Sequence, residues 1–137
     1  MSDTAAAVGR VLLAAIFVIS GYFKLVGIAG TITYFTRLGV PQPQILAYVV
    51  AVVELIAGLM VLVGFKARLA ALVLCVFTGI ALYLGHKFWA VPPEQYMNQF
   101  NHALKNLAVM GGFLLLFAHG PGRYSLDARM TAPGSRY

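Results

Sequence analysis

The fold is decided by residues 45–65, ILAYVVAVVELIAGLMVLVGF, in which Glu54 is the single charged side chain. At a rise of about 1.5 Å per residue, a helix of this length crosses a hydrocarbon layer about 30 Å thick. Three further apolar runs occupy residues 5–23, 69–86 and 101–117. Strands would leave backbone groups unpaired in lipid, so the sequence predicts an all-α integral membrane protein with four transmembrane helices in a bundle.

The composition of the 137-residue chain agrees with this prediction. Apolar residues make up 61% and charged residues 10%, against about half and a quarter in soluble proteins. The net charge of +6 does not indicate a nucleic-acid partner, because the lysines and arginines stand singly at the edges of apolar runs. A single cysteine, Cys75, excludes an intrachain disulfide and a cysteine metal cluster. We therefore expect one transmembrane domain over residues 1–137, with the lipid bilayer as its surroundings.

The link between the first two runs is predicted to contain a short helix in the membrane interface. Apolar residues recur in this link at helical spacing, at Ile28, Ile32, Phe35 and Leu38. Threonines and Arg37 occupy its other faces, which is typical of a helix lying in the plane of the headgroups. The next link, residues 64–68, is short enough to require a tight turn between antiparallel helices.

The third link, residues 86–100, and the C-terminal tail contain the remaining residues that are typical of turns and loops. Trp89 and Tyr96 flank a pair of prolines, which predicts an aromatic belt at the headgroups with a brief turn over residues 94–99. No basic stretch precedes the first run, so we expect that run to remain in the mature protein as a helix. The tail, residues 118–137, is polar and is expected to be partly disordered.

The distribution of basic residues predicts the orientation in the membrane. One side carries Arg10, Lys66, Arg68, Arg123, Arg129 and Arg136, and the other carries Lys24, Arg37, Lys87 and Lys105. Basic residues are enriched in cytoplasmic loops, so six against four places both termini in the cytoplasm.

A small set of polar residues within or beside the apolar runs needs a functional or structural explanation. Such groups are costly in hydrocarbon unless they are paired or face a wet cavity. They are Arg10, Lys24, Glu54, His86, His102, Lys105 and Asn106.

Their depths indicate which of them can meet. Measured from the centre of each run, Glu54 lies near the midplane, with Lys105 about 7 Å to one side and Arg10 about 7 Å to the other. Either base is within reach of Glu54, and the sequence leaves the choice open. Lys24 and His86 lie about 13 Å from the centre, near the boundary opposite the termini. The glycines on the same helix faces either permit close helix approach or admit a flat ligand.

Structural roles compete with ligand binding for each of these residues. An ion pair at Glu54 fixes helix packing whether or not a ligand binds, and Lys24 can extend to the headgroups. His86 and His102 face the same side, but both lie near the boundary, which favours interfacial hydrogen bonding over haem ligation. We predict no metal site.

Several motifs together resemble the DoxX family over nearly the whole chain. They are GRVLLAAIFVISGYFK (9–24), LGVP (38–41), VELIAG (53–58), RLAA (68–71), HKFW (86–89), Phe100, KNL (105–107), GG (111–112) and GPGRYSLD (120–127).

The resemblance implies a bacterial inner-membrane protein with four transmembrane helices. Members are often labelled oxidoreductases, because some are associated with quinone-linked electron transfer, including thiosulfate oxidation, and others with oxidative-stress responses. The family's polar motif positions fall on Arg10, Lys24, Glu54, His86, Lys105 and Asn106. The chain has no haem, flavin or iron–sulfur signature, so the resemblance favours a quinone-binding or partner-dependent role.

The resulting hypothesis is a redox-associated membrane subunit that binds a quinone or similar amphipathic ligand. Glu54 and Lys105 are its predicted catalytic pair. The predicted ligand-binding residues are Arg10, Lys24, His86 and Asn106. The expected partners are a soluble redox protein and further subunits, in a homo-oligomer or a complex. Two alternatives are a non-enzymatic scaffold for a soluble partner and a small oligomeric transporter.

Overall fold

The structure is a computed structural model that describes residues 2–131, and it forms six α-helices in that part of the chain. They are α1 (Asp3–Val26), α2 (Ile28–Leu38), α3 (Pro43–Val63), α4 (Ala67–Gly85), α5 (Pro93–His119) and α6 (Leu126–Thr131). A 3-10 turn, Phe88–Ala90, separates α4 from α5. Helices α1, α3, α4 with this turn, and α5 are long and apolar enough to cross a membrane. The prediction of an all-α protein with four transmembrane helices is confirmed.

The largest difference from the predicted boundaries is at the start of α5. The turn predicted over residues 94–99 is wrong, because these residues form the first turns of α5. Pro93 occupies the first helical position, where its fixed φ and missing N–H are tolerated. Glu94 follows in the first turn, where a carboxylate interacts favourably with the helix dipole.

The link between α1 and α3 contains the expected short helix. Gly27 interrupts the helical path after α1, and α2 then runs to Gly39, whose φ of 70° ends it in the left-handed conformation. The location of α2 in the membrane interface stays a prediction.

Part of the C-terminal tail is ordered, which the sequence did not indicate. Residues 120–125 pack against the bundle and lead into α6. The expectation of a partly disordered tail stays a prediction, because the tail is ordered up to Thr131 and residues 132–137 lie outside the described residues.

The four long helices alternate in direction and pack in chain order, α1 on α3, α3 on α4 and α4 on α5. We call the end where α1 begins and α5 finishes the Arg10 end, and the opposite end the His86 end. Helix α2 packs on α3 and α1 at the His86 end. By contrast, the backbones of α1 and α5 approach each other at few points, so the bundle is more open on that side.

The tightest helix contact is between α1 and α3. A Cβ atom built at Gly21 would lie 2.7 Å from the backbone nitrogen of Leu55 and 2.9 Å from the carbonyl oxygen of Ala51. At Gly58, it would lie 3.1 Å from the backbone nitrogen of Val18. Small residues allow transmembrane helices to approach this closely, so these two glycines serve close packing and not ligand access.

The apolar core lies in the half of the bundle toward the Arg10 end. It contains Ala14, Phe17, Ala57, Val61, Ala70, Ala71, Leu74, Cys75, Phe113 and Leu116. Phe17 packs on Phe113 with ring centroids 5.3 Å apart and on Phe77 at 6.3 Å. Large apolar residues such as Leu12 and Leu115 are exposed on the outer faces, as expected for a surface in contact with lipid.

We predict that Gly21→Ala destabilises the protein by about 1–3 kcal/mol, because the new methyl group meets backbone atoms that cannot rotate away. The measurement is unfolding in detergent micelles. Gly9→Ala is the matched control on the same helix, because a Cβ there has no neighbour within 4 Å. Equal stability of the two variants would contradict the packing argument.

Candidate functional site

A cavity of about 200 Å³ lies inside the bundle on the His86 side of the apolar core. Its polar lining residues come from all four long helices and the end of α4: Ser20, Glu54, Thr78, His86 and Asn106. Its apolar walls are Ile16, Phe17, Phe77, Ala81 and Val109. Three of the residues predicted to form a site, Glu54, His86 and Asn106, therefore face one cavity.

Glu54 forms an ion pair with Lys24 inside the bundle. The carboxylate is buried, with the residue 4% exposed, and Lys24 Nζ donates a hydrogen bond to Glu54 Oε2. Lys24 Nζ also donates to Ser20 Oγ at 2.8 Å, and Ser20 Oγ lies 3.4 Å from Glu54 Oε1. These three side chains form a hydrogen-bonded group, which we call the Glu54 triad.

The prediction that Glu54 pairs with Arg10 or Lys105 is wrong. That prediction treated the centres of the apolar runs as level with one another. The close contact at Gly21 instead brings Gly21 level with Leu55, so α1 and α3 are staggered. Lys24, less than one turn after Gly21, then reaches Glu54 along the face of α3.

Arg10 has a different environment from the one expected. It is buried, 4% exposed, and its guanidinium donates to three backbone carbonyls at the Arg10 end. The acceptors are Leu62 at 3.3 Å, Pro121 at 2.6 Å and Tyr124 at 2.6 Å. Arg10 thus holds the C-terminal segment against the bundle, and it neither lines the polar cavity nor contacts Glu54.

The C-terminal segment reinforces this arrangement through Asp127. Its carboxylate accepts hydrogen bonds from the backbone N–H groups of Lys66 at 2.7 Å and Ala67 at 2.9 Å, which cap the start of α4. A Cβ at Gly64 would strike Ser125 Cβ, so the segment packs directly on the turn between α3 and α4. We call Arg10, Asp127 and the backbone groups that they bind the C-terminal clamp.

Lys105 is not part of the cavity. Its side chain is exposed on α5 and lies outside the lining of the cavity. Asn106, the next residue along α5, does line the cavity. The structure thus separates two neighbours that the sequence treated as one motif.

The two histidines predicted near the boundary contact each other. The rings of His86 and His102 are stacked, with centroids 4.9 Å apart and an interplanar angle of 14°. His86 Nδ1 lies 3.0 Å from Gln99 Oε1, which orients the ring beside the cavity. Stacked imidazoles present faces to each other, whereas a haem iron held between two histidines needs their nitrogen edges. Within residues 2–131, no group of three or more His, Cys, Asp or Glu side chains is placed to hold a metal ion.

Two polar residues of the cavity, Ser20 and Thr78, were not predicted from the sequence. Ser20 links Lys24 to Glu54, and its position four residues before Lys24, on the same helix face, was a usable signal. Thr78 donates to the Leu74 carbonyl at 2.6 Å and presents its oxygen near the cavity. No pattern in the sequence distinguishes Thr78 from an ordinary helix residue whose hydroxyl bonds to the preceding turn.

Four spanning helices around one small polar cavity define the class: a small multi-pass membrane protein with a polar cavity between its helices. The chain belongs to the DoxX family, whose sequence model matches residues 5–87.

The similarity of the chain to several membrane proteins agrees with this assignment. The chain is 33% identical to the inner membrane protein YphA of Escherichia coli (strain K12), over 89% of this chain and 87% of YphA. It is 36% identical to the inner membrane protein YqjF of the same organism, over 93% of this chain and 92% of YqjF. A third relative, named "Putative oxidoreductase CatD", from Bacillus subtilis (strain 168), is 40% identical over 44% of this chain and 43% of its own length. No solved structure matches the chain.

We predict that Lys24→Met destabilises the protein and that Glu54→Gln in the same chain restores part of the loss. The single change leaves a buried carboxylate without its ammonium partner, whereas the double change removes both charges. A double-mutant cycle measured by unfolding in detergent should give a coupling free energy of roughly 1–3 kcal/mol. The parallel cycle with Lys105→Met is the control, and a larger coupling there would show that Lys105 is the true partner.

We also predict that Arg10→Met loosens the C-terminal clamp. Three backbone carbonyls lose a charged donor, so the segment after α5 should open more often. Limited trypsin digestion should then cut after Arg123 at least about tenfold faster than in the wild type. Arg37→Met, which removes an exposed arginine of α2, controls for the loss of one basic residue. Equal cleavage rates in the two variants would rule out the clamp.

Proposed function

We propose that this chain is a redox-associated subunit of the bacterial inner membrane that binds the ring of a quinone in the polar cavity. The observation that carries the proposal is the convergence of polar groups from all four spanning helices on one cavity. Polar groups inside a membrane bundle are costly, and they commonly mark a ligand or proton pathway. The names of the Escherichia coli relatives support the location.

The size of the cavity suits a single ring. At about 200 Å³ it is below the about 300–1,000 Å³ of pockets that enclose a drug-sized molecule. Phe17 and Phe77 supply flat aromatic walls, and Ile16 and Val109 supply aliphatic ones. These side chains provide the apolar contact that a substituted benzoquinone ring requires.

The polar groups of the cavity match the two carbonyl oxygens of a quinone. The Asn106 amide has two N–H donors for a carbonyl oxygen. Gln99 Oε1 accepts from His86 Nδ1, so His86 Nε2 donates to the second carbonyl oxygen when the ring is protonated, and in the neutral ring it accepts from a hydroxyl of the reduced quinol. We assign to these two residues the hydrogen bonds that orient the ring. Asn106 and His86 both line the part of the cavity toward the His86 end, so in this assignment the quinone ring lies in that part of the cavity.

The Glu54 triad is placed to hold and move a proton. Glu54 faces the cavity, while Lys24 is 28% exposed at its side chain and connects the carboxylate to the outer part of the bundle. Ser20 lies between them within hydrogen-bonding distance of both. In this assignment Glu54 exchanges a proton at its carboxylate, and Lys24 with Ser20 stabilises the ionised form.

A bound quinone supplies reversible two-electron, two-proton chemistry, and we assign the electrons to a partner protein. The Bacillus subtilis relative, which aligns with 44% of this chain, is named "Putative oxidoreductase CatD", and that name supports a redox context. The orientation with both termini in the cytoplasm remains part of the proposal.

The test is binding of decylubiquinone to the purified chain, measured by equilibrium dialysis in mild detergent. Asn106→Leu should weaken binding by about tenfold or more, because it removes a hydrogen-bonding group from the lining of the cavity. Asn101→Leu makes the same change on α5 at an exposed position outside the cavity, and it should bind as the wild type does.

Two outcomes would contradict the proposal. Equal affinity of Asn106→Leu and Asn101→Leu would show that any quinone binds elsewhere. Loss of folding in Asn106→Leu and Glu54→Gln, with no quinone bound by the wild type, would favour the scaffold alternative, in which the polar cluster only holds the helices together.

A further inference from the structure

An apolar groove runs along the open side of the bundle, between α1 and α5. Its volume is about 440 Å³, and its walls include Ala6, Gly9 and Leu12 from α1 and Gly112 and Leu115 from α5. We call it the α1–α5 groove. It extends from Ile16 back to Ala5, which is about 16 Å along the axis of α1.

The groove adjoins the polar cavity. Ile16 of α1 and Val109 of α5 belong to the walls of both spaces. The two spaces therefore lie on either side of these two side chains, with no helix between them.

The lining of the groove determines what it can hold. Arg10 is its one charged lining residue, and the Arg10 guanidinium is already bound to three backbone carbonyls of the C-terminal clamp. An anionic lipid headgroup at the Arg10 end would have to compete with these carbonyls. The remaining lining is aliphatic or glycine, so the groove suits an aliphatic chain whose polar group lies at the other end, in the cavity.

We infer that the α1–α5 groove binds the aliphatic tail of the molecule whose ring occupies the polar cavity. The inference rests on the proposed function and adds the class of ligand: a quinone with a long apolar chain, oriented with its tail toward the Arg10 end. It also gives the entry route, because the groove opens sideways to the lipid between α1 and α5, whose backbones approach each other at few points.

Gly9 offers a direct test. A Cβ at Gly9 has no neighbour within 4 Å, so a larger side chain there fills the groove without striking the protein. Gly111→Leu is the matched control, because Gly111 of α5 is also open, is exposed and does not line the groove. Both variants exchange glycine for leucine on a spanning helix.

The experiment compares two probes on the full chain in mild detergent. They are 2,3-dimethoxy-5-methyl-1,4-benzoquinone, which has no tail, and decylubiquinone, which has the same ring with a ten-carbon tail. Gly9→Leu should weaken decylubiquinone binding by about tenfold and leave the tail-less probe unchanged. Gly111→Leu should bind both probes as the wild type does.

The outcomes separate this inference from the proposed function. If Gly9→Leu binds decylubiquinone as tightly as Gly111→Leu does, the tail lies elsewhere and ring binding still stands. If the wild type binds neither probe, or binds the tail-less probe regardless of Asn106→Leu, the ring site fails and the tail assignment fails with it. A phospholipid that co-purifies, is lost in Gly9→Leu and is not displaced by decylubiquinone would assign the groove to a bilayer lipid instead.

A second measurement needs no substitution. A quinone with a photoreactive diazirine at the end of a ten-carbon tail is irradiated with the wild-type protein, and the labelled peptides are mapped by mass spectrometry. Labels should fall near Ala6 and Leu115 at the Arg10 end of the groove. Labels confined to α2 or the start of α3 would place the tail at the opposite end and overturn the inference.

Discussion

The contact between α1 and α3 at Gly21 and Gly58 fixes the register on which the site depends. With no side chain at either position, the two backbones meet, and a shift of one turn would place Cβ atoms against main chain. That register brings Ser20 and Lys24 beside Glu54. A packing constraint therefore determines which charges pair, and the ion pair is a consequence of the helix contact as well as a support for it.

The two most buried charges of the spans are satisfied in different ways, and the difference separates their functions. Glu54 is paired with side chains that can rearrange, and it borders a cavity. Arg10 is surrounded by backbone carbonyls, which have fixed positions and cannot exchange protons. The first arrangement leaves room for chemistry, whereas the second is suited to holding the chain together.

The class of fold could be predicted from the sequence. The length of the apolar runs and the cost of unpaired backbone groups in lipid leave few folds other than a bundle of transmembrane helices. Glu54, His86 and Asn106 were also identified by their cost in hydrocarbon, and the structure brings these three to one cavity. Pairings that depend on helix stagger, as for Lys24, were not predicted. The partners of Arg10 were also not predicted. Every residue has a backbone carbonyl, and no side-chain pattern marks the carbonyls that will accept a hydrogen bond from Arg10.

The C-terminal clamp joins the two ends of the chain, since Arg10 lies 111 residues before Pro121 and 114 before Tyr124. A ribosome releases Tyr124 only after all four spanning helices have been made, so the first helix must enter the bilayer with its arginine still lacking those partners. Membrane insertion and final assembly are thereby separated in time. A chain truncated before Pro121 would keep the Arg10 charge inside the bundle without two of its three acceptors.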